Sequence, residues 1–442
     1  MIKVLLVVEN YTAPADSRVW LEARTLRDAG YGVSVISPRG EKRDHARYEC
    51  VEGIPIYRYS LPQAGSFAGY LIEYLVALWM TLWLSLKVWR RHGFDVLHVA
   101  NPPDIFFLLA LFYKPFGKRF VFDQHDLAPE LFSARFSGRD GPVVGLTLAA
   151  LRATERLSYR AADLAIVTNE SFKRIAVERH EATPERVRVV RNAPDPRRIA
   201  RVAPDPSLKG EWRHLLAYVG VMGPQDGVEY AIYALDELVH RQGRHDVGLV
   251  LLGDGDELPA LRSLATELRL DANIHFTGWV EPSTISRYLS TAEIGICPDP
   301  RNGLNEHCTT IKTMEYMALG LPIVAFDLEE TRFSARDAAL YAKPNVIRDF
   351  ATQIATLLDD AELRERMGAC GKMRLETELS ERISRHSLLV AYAERIPDPQ
   401  AARLRAKRGA SRMLLLGGVA LFSALSVLRV RRAHGSRRGT RR

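Results

Sequence analysis

The amino-acid sequence predicts an α/β protein: two Rossmann-like domains in tandem, facing a cleft, with a basic tail carrying an apolar helix. Three observations predict this. Short apolar runs alternate with helical patterns in two successive series, a proline-rich stretch separates the series, and the excess positive charge is confined to residues 401–442. With 442 residues and 47% hydrophobic content, each half has enough chain to bury a core.

The first series reads as strands at Lys3–Val8, Val33–Ser37, Ile54–Tyr59, Val96–Val99, Arg119–Phe122, Leu164–Thr168 and Val187–Arg191. Helical patterns lie between them, among them Ser17–Ala29, Phe67–Arg91 and Gly145–Arg160. Alternating strands and helices call for a parallel sheet covered on both faces. Four prolines between Asn192 and Gly210 mark an interdomain linker. The second series has strands at Leu215–Gly220, Val247–Leu252, Ile274–Thr277, Ile294–Cys297 and Ile323–Ala325. Its helices include Val228–Arg241, Glu257–Leu268, Ser283–Ser290 and Thr309–Leu319. The domains are therefore placed at 1–200 and 201–396, with the tail at 397–442.

The stretch Phe67–Trp89 is very apolar, yet Glu73, Ala77, Thr81 and Ser85 form a small, polar stripe at four-residue spacing. A true membrane span there would place the flanking strands on opposite sides of the bilayer. It is read as a crossover helix with an apolar face toward lipid. In the tail, Met413–Leu428 carries no charge and is bounded by Arg412 and Arg429. Such a segment covers about 24 Å at 1.5 Å per residue, short of a core of roughly 30 Å, but snorkelling arginines extend its reach. Membrane insertion is expected there.

The 61 basic residues include twelve in 401–442, where no acid occurs, so the body holds 49 against 53 acidic residues. A mildly acidic body argues against nucleic-acid binding, and a basic tail beside an apolar run fits an anionic membrane surface. Cys50, Cys297, Cys308 and Cys370 form no C-x-x-C pair, which disfavours a disulfide framework or zinc site and fits a reducing cytoplasm. The start MIKVLLVV reads as a first strand and lacks the pattern of a signal peptide.

Four segments carry candidate chemistry. After the first strand, Asp16 or Ser17 caps a helix whose N-terminus suits an anion, while Arg18 stands against the helix dipole. In FVFDQHDLAPELF, His125 and Asp126 follow a strand and project into the cleft, where a hydrogen bond to sugar or a proton transfer competes with a capping role. In the second half, Gly220, Gly223 and Gly227 lie between a strand and a helix. Glycine there lets the backbone approach phosphate, but the dinucleotide fingerprint is absent and NAD is disfavoured. Asp254 and Asp256 read as a capped turn rather than a metal pair. The strongest segment is CPDPRNGLNEHCTTIKTMEYMALGLPIVAFD. Its polar loop holds Asn305, Glu306 and His307. A helix beginning near Thr309 offers amides, the Thr309 and Thr310 hydroxyls and Lys312 to a diphosphate, with Glu315 on the Lys312 face.

Together these segments resemble glycosyltransferase family 4, of the GT-B fold, in order from about Lys3 to Ile396. The likeness includes ADSRVWLEARTLRDAGYGVSVI, DQHDLAPELF, LLGDGDELPALRSLATEL and TIKTMEYMALGLPIVAFD, and is strongest toward bacterial surface-polysaccharide and fucosamine-type transferases. The resemblance implies that the first domain faces the acceptor and the second binds a nucleotide sugar. It places His125 at the sugar, Glu315 at the donor ribose, and Thr277, Gly278 and Trp279 near the base. Asp16, Ser17, Arg18 and Asp126 fall on the acceptor side, and the last helix, Glu381–Arg395, crosses back to the first domain. Catalytic roles are assigned to His125, Glu306 and Lys312. The remaining donor-binding set is Gly220, Gly223, Asn305, His307, Thr309 and Thr310. No metal or cofactor is expected. Two positions depart from the family pattern. His307 stands eight residues before Glu315, where a glutamate is expected, with Glu306 one residue off; Val221 and Asp226 replace a basic pair.

The resulting expectation is a retaining hexosyl or acetamido-hexosyl transferase. It uses a nucleotide diphosphate sugar, UDP foremost, and a lipid-linked saccharide acceptor at the cytoplasmic face of the cell membrane. The alternatives are a membrane-tethered scaffold with a degenerate body, a nucleotide-sugar epimerase and, last, an NAD oxidoreductase.

Overall fold

The computed structural model describes residues 1–40, 44–62, 67–136 and 141–396. The expected tail helix and its segment 413–428 lie outside the described residues.

The first domain is an eight-stranded sheet. Its strands are β1 (Lys3–Val7), β2 (Gly32–Pro38), β3 (Tyr48–Val51), β4 (Ile54–Tyr59), β5 (Val96–Ala100), β6 (Arg119–Gln124), β7 (Leu164–Val167) and β8 (Val187–Val189). They lie in the order β3-β4-β2-β1-β5-β6-β7-β8, all parallel except the edge strand β3, which pairs antiparallel with β4. Its helices are α1 (Ser17–Asp28), α2 (Phe67–Arg91), α3 (Phe107–Tyr113), α4 (Ala128–Arg135), α5 (Pro142–Ala161) and α6 (Glu170–His180). β1 and β5 are near-continuous runs of Val and Leu because both faces of a parallel sheet are covered.

The second sheet has six strands: β9 (His214–Val219), β10 (Val247–Leu252), β11 (Ile274–Gly278), β12 (Ile294–Cys297), β13 (Ile323–Phe326) and β14 (Ala339–Ala342). Their order is β11-β10-β9-β12-β13-β14. The helices are α7 (Val228–Asp236), α8 (Leu258–Glu267), α9 (Pro282–Thr291), α10 (Ile311–Ala318), α11 (Glu329–Ala335), α12 (Ile347–Asp359), α13 (Ala361–Glu378) and α14 (Glu381–Arg395). The winding reverses between β1 and β5 in one sheet and between β9 and β12 in the other. A crevice opens beyond the carboxyl ends of the strands at each reversal.

Several expectations are corrected. The helix expected from Thr309 begins at Ile311, because Thr310 is extended (φ −81, ψ 131) and the Thr309 hydroxyl is held by Asn169 and Glu330. The helix expected over Val228–Arg241 is α-helical only to Asp236 and ends in a π turn. The proline-rich stretch is no loose tether: amides of Ala200, Val202 and Asp205 donate to the Ser286, Ser290 and Thr291 hydroxyls of α9. α2 connects β4 to β5 within one sheet, so it is a crossover. Its small, polar stripe faces inward, with Ala77, Thr81 and Ser85 fully buried.

Candidate active site

The wall contributed by the first domain is built around Asp123, an inward residue of β6 with no exposure. Its carboxylate accepts from Arg18 Nη2 at 2.8 Å and from His125 Nε2 at 2.7 Å. Burial opposes ionisation, but Arg18 and His125 outweigh it and hold the Asp123 carboxyl well below its usual range. An ionised Asp123 can only accept, so Nε2 carries the hydrogen it donates, and in the tautomer this fixes Nδ1 is the acceptor. The His125–Asp126 turn is fixed from below by Asn101, which follows β5. Its Oδ1 accepts from the amides of His125 (2.6 Å) and Asp126 (3.1 Å), and its Nδ2 donates to the Asp126 carbonyl. Burial raises the Asp126 carboxyl, against the attraction of His125.

Arg18 sits in the first turn of α1, where Asp16 caps the Val19 amide. The guanidinium also donates to the Val190 carbonyl and Asn192 Oδ1, each at 2.8 Å, and lies 3.3 Å from Glu22. Two carboxylates and two carbonyl oxygens thus engage its terminal nitrogens, while Nε is buried without a partner. Glu22, His98 and Asp123 also bring ligand atoms within metal-binding distance of one another. Arg18 already supplies the positive charge there, which leaves a cation no advantage.

The facing wall comes from loops after β9, β10 and β12. Gly220 and Gly253 pack backbone to backbone, and a Cβ on Gly253 would lie 1.9 Å from the Gly220 carbonyl oxygen. Lys312 lies beneath the Gly220 loop, 6% exposed, with Nζ 2.6 Å from Asp299 and above the Tyr218 ring. Burial disfavours its charge, but Asp299, Tyr218 and Asp226 outweigh this and raise its pKa well above the ordinary value. Lys312 is therefore a charged but already paired group, a correction to the open cation expected from the sequence. Asp226 folds back to accept the Gly223 amide at 2.9 Å, and burial, then Asp299, raises its carboxyl to about 6. Burial raises Glu315 to about 7, with Arg198 and Lys312 pulling it down.

Other residues singled out in the sequence serve as ties. Asn305 Nδ2 donates to the Gln225 and Pro300 carbonyls, joining the loops after β9 and β12. Thr309 Oγ1 and the His307 carbonyl accept from Asn169 of the first domain. Thr310 pairs with Thr313. Thr277 turns its hydroxyl to the Gly278 carbonyl, and Trp279 beyond it is half exposed. Glu306 accepts from Arg301 Nε and the Glu329 amide. These two contacts tie the loop to the head of α11.

The two walls meet. Asp126 acts through its charge on Asp226 and Cys308 of the opposite wall. Leu304 is buried within the first domain's core cluster. Ser17 and Arg18 of α1 line one small cavity with Ile311 of α10 and Ser384 of α14, so the first turns of these three helices converge at the domain junction. Glu330, 3% exposed, accepts from Ser171 Oγ (2.7 Å), Arg191 (3.3 Å) and Thr309 Oγ1 (3.2 Å), bridging both domains. Sequence reasoning missed Asp123, Asn101, Asp299 and Glu330. Asp123 and Asp299 stand inside segments already singled out, within DQHD and CPDP, so proximity to the motif was their one signal.

The chain matches two family models, "Glycosyltransferase Family 4" over residues 16–198 and "Glycosyl transferases group 1" over residues 213–360. It is 32% identical over 157 residues to alpha-D-kanosaminyltransferase of Streptomyces kanamyceticus, covering 35% of this chain and 39% of that protein. It is 26% identical over 387 residues to phosphatidyl-myo-inositol mannosyltransferase of Mycolicibacterium smegmatis, covering 86% and 87%. Among solved structures, Anabaena HepE in complex with UDP and glucose superposes with a TM-score of 0.67 at 15% identity, over 89% of this chain and all of that one. That likeness shows the GT-B fold.

Proposed function

Because this chain belongs to glycosyltransferase family 4, we propose that it is a retaining transferase of a hexosyl or acetamido-hexosyl unit from a nucleotide diphosphate sugar. A UDP-sugar is the donor in this reading, and the acceptor is a lipid-linked saccharide at the cytoplasmic face of the membrane. The observation that carries it is the meeting of two walls. Lys312, the α10 N-terminus and Glu315 lie on one side, with His125 and Asp126 on the other. The UDP held by HepE and the lipid inositol named for the mycobacterial relative support the donor and acceptor classes.

In this reading the diphosphate settles on the first-turn amides of α10 and on Lys312, whose helix end and ammonium stabilise the departing charge without a metal. Glu315 accepts from the ribose hydroxyls. His125, oriented by Asp123, accepts from a sugar hydroxyl through Nδ1. The acceptor hydroxyl attacks on the face the diphosphate leaves, and the leaving phosphate oxygen takes its proton, so the anomeric configuration is kept. Release of UDP from labelled UDP-sugars by membrane fractions tests it; no release with any donor and lipid-linked saccharide overturns it.

A degenerate scaffold is the second reading. It is favoured by Asp299 already neutralising Lys312 and by Asp226 standing where a cation is expected. Calorimetry separates the two: a scaffold binds no UDP-sugar, and Lys312→Met/Asp299→Asn then changes nothing.

A further inference from the structure

The helix α2 is amphipathic in the reverse of the usual sense. Its small and polar residues Ala77, Thr81 and Ser85 face the domain and are fully buried, with the Ser85 hydroxyl 2.8 Å from that of Tyr113 on α3. Its large apolar residues face outward: Ile72, Leu75, Trp79 and Trp83 are 56–67% exposed and fall on one stripe. α3 extends the patch with Leu108, Leu111 and Phe112, each 43–54% exposed. A soluble domain does not expose two tryptophans and a continuous aliphatic row without an occupant.

The border of the patch is cationic. Lys87 stacks over Trp83, and Lys87, Arg90 and Arg91 enclose a shallow hollow with Trp83 and Leu86. Among the described residues, no acid pairs with Lys87 or Arg90. An apolar stripe with tryptophans above a row of basic side chains matches the layering of a bilayer interface, with acyl chains beneath anionic headgroups. The helix also runs from the cleft to the opposite rim of the domain. Glu73, near its start, acts on Glu9, which follows β1 at the crevice, while His92, just past its end, lies beside Lys3 at the start of β1.

We propose that the α2–α3 face docks the first domain onto an anionic bilayer, inserting Trp79 and Trp83 and placing Lys87 and Arg90 among lipid phosphates. This contact is separate from the tail and does not depend on the transferase reading. It sets the crevice beside β1 at the membrane surface.

The test adds full-length protein to vesicles of brominated phosphatidylcholine with and without phosphatidylglycerol, and follows tryptophan emission without donor or acceptor. Quenching is expected on the anionic vesicles, and Trp79→Phe/Trp83→Phe is expected to remove most of it. Lys87→Glu/Arg90→Glu is expected to weaken the vesicle-dependent quenching at least tenfold, each charge near an anionic surface contributing about fivefold. All four positions are on the surface and outside the site, so UDP-sugar binding stays unchanged. Equal quenching in Trp79→Phe/Trp83→Phe and wild type overturns the proposal, as it means the tail or a second copy covers the face. Equal quenching on neutral vesicles overturns the anionic partner.

Discussion

Lys312 is the residue on which the proposed donor binding and stability most directly conflict. Its ammonium and the Asp299 carboxylate are both nearly buried, with side-chain exposures of 7% and 6%. Removing one partner of such a pair leaves the other charge unpaired, at about 3–5 kcal/mol. Lys312→Ala is therefore expected to lower stability by about 3 kcal/mol in denaturant titrations, which would obscure any loss of donor binding. The double variant Lys312→Met/Asp299→Asn removes both charges. It is expected to unfold near the wild-type midpoint while calorimetry shows at least a hundredfold weaker UDP-sugar binding. Recovery of stability together with binding would move the diphosphate elsewhere. Glu315 gives the complementary case. Its carboxyl titrates near 7 in the folded chain against an ordinary 4.5, so the folded state retains a proton that the unfolded chain has released in that window. Burial of Glu315 thus costs nothing below pH 4.5 and progressively more as pH rises toward 7. Glu315→Gln is expected to stabilise the ligand-free protein by about 1–3 kcal/mol at pH 8 and by nothing near pH 4.5. Wild-type donor affinity is expected to rise from pH 6 to 8, as the carboxylate proposed to accept ribose hydroxyls forms, and the Gln variant to lose that dependence.

The segment from β12 to α11 joins the two domains, and Glu330 is its anchor. Ser171 and Arg191 reach it from the first domain, and Thr309 reaches it from the loop before α10. Glu330→Ala is expected to cost about 3 kcal/mol of this closed arrangement and to raise the radius of gyration measured by solution scattering. An unchanged radius would mean that the Asn169 bonds, α14 and the apolar seat of Leu304 hold the walls together without it. This element also marks what the sequence discloses. The parallel strands and the helices between them were legible, since a strand buried on both faces writes itself as an apolar run. Strand β3, with its half-exposed pattern, and β14, four residues long, carry no such run and were not. His125, Lys312 and Glu315 were legible as candidates because they sit in motifs. The long-range ties around them were not: Asp123 meets Arg18 across 105 positions and Glu330 meets Ser171 across 159, contacts that no local pattern encodes, whereas Asp123 and Asp299 stand in the same motifs as His125 and Lys312. The sequence likewise presented Lys312 as an open cation, although Asp299 pairs with it.

The last described helix ties the molecule into one unit. α14 follows the second domain in sequence, but its Leu388, Ala391 and Tyr392 belong to a core cluster with Val4, Leu6 and Val96 of the first sheet. The Tyr392 hydroxyl meets His98 Nδ1 at 2.7 Å, and His98 Nε2 lies 3.6 Å from Asp123, the residue that orients His125. Ser384 Oγ donates to the Arg191 carbonyl, and Glu394 pairs with Arg188 at 2.7 Å. Cooperative units follow packing rather than chain order, so α14 should unfold with the first domain. Leu388, 1% exposed, is the cleanest probe: Leu388→Ala deletes buried apolar volume at a cost of about 3 kcal/mol. Native-state hydrogen exchange is expected to quicken about a hundredfold at the amides of β1 and β5, while β9 and β10 keep wild-type protection. Faster exchange in β9 and β10 with β1 unaffected would assign the helix to the second domain. Because Tyr392, His98, Asp123 and His125 form one line of contacts, the same variant should also loosen His125, and turnover should fall further than donor affinity does.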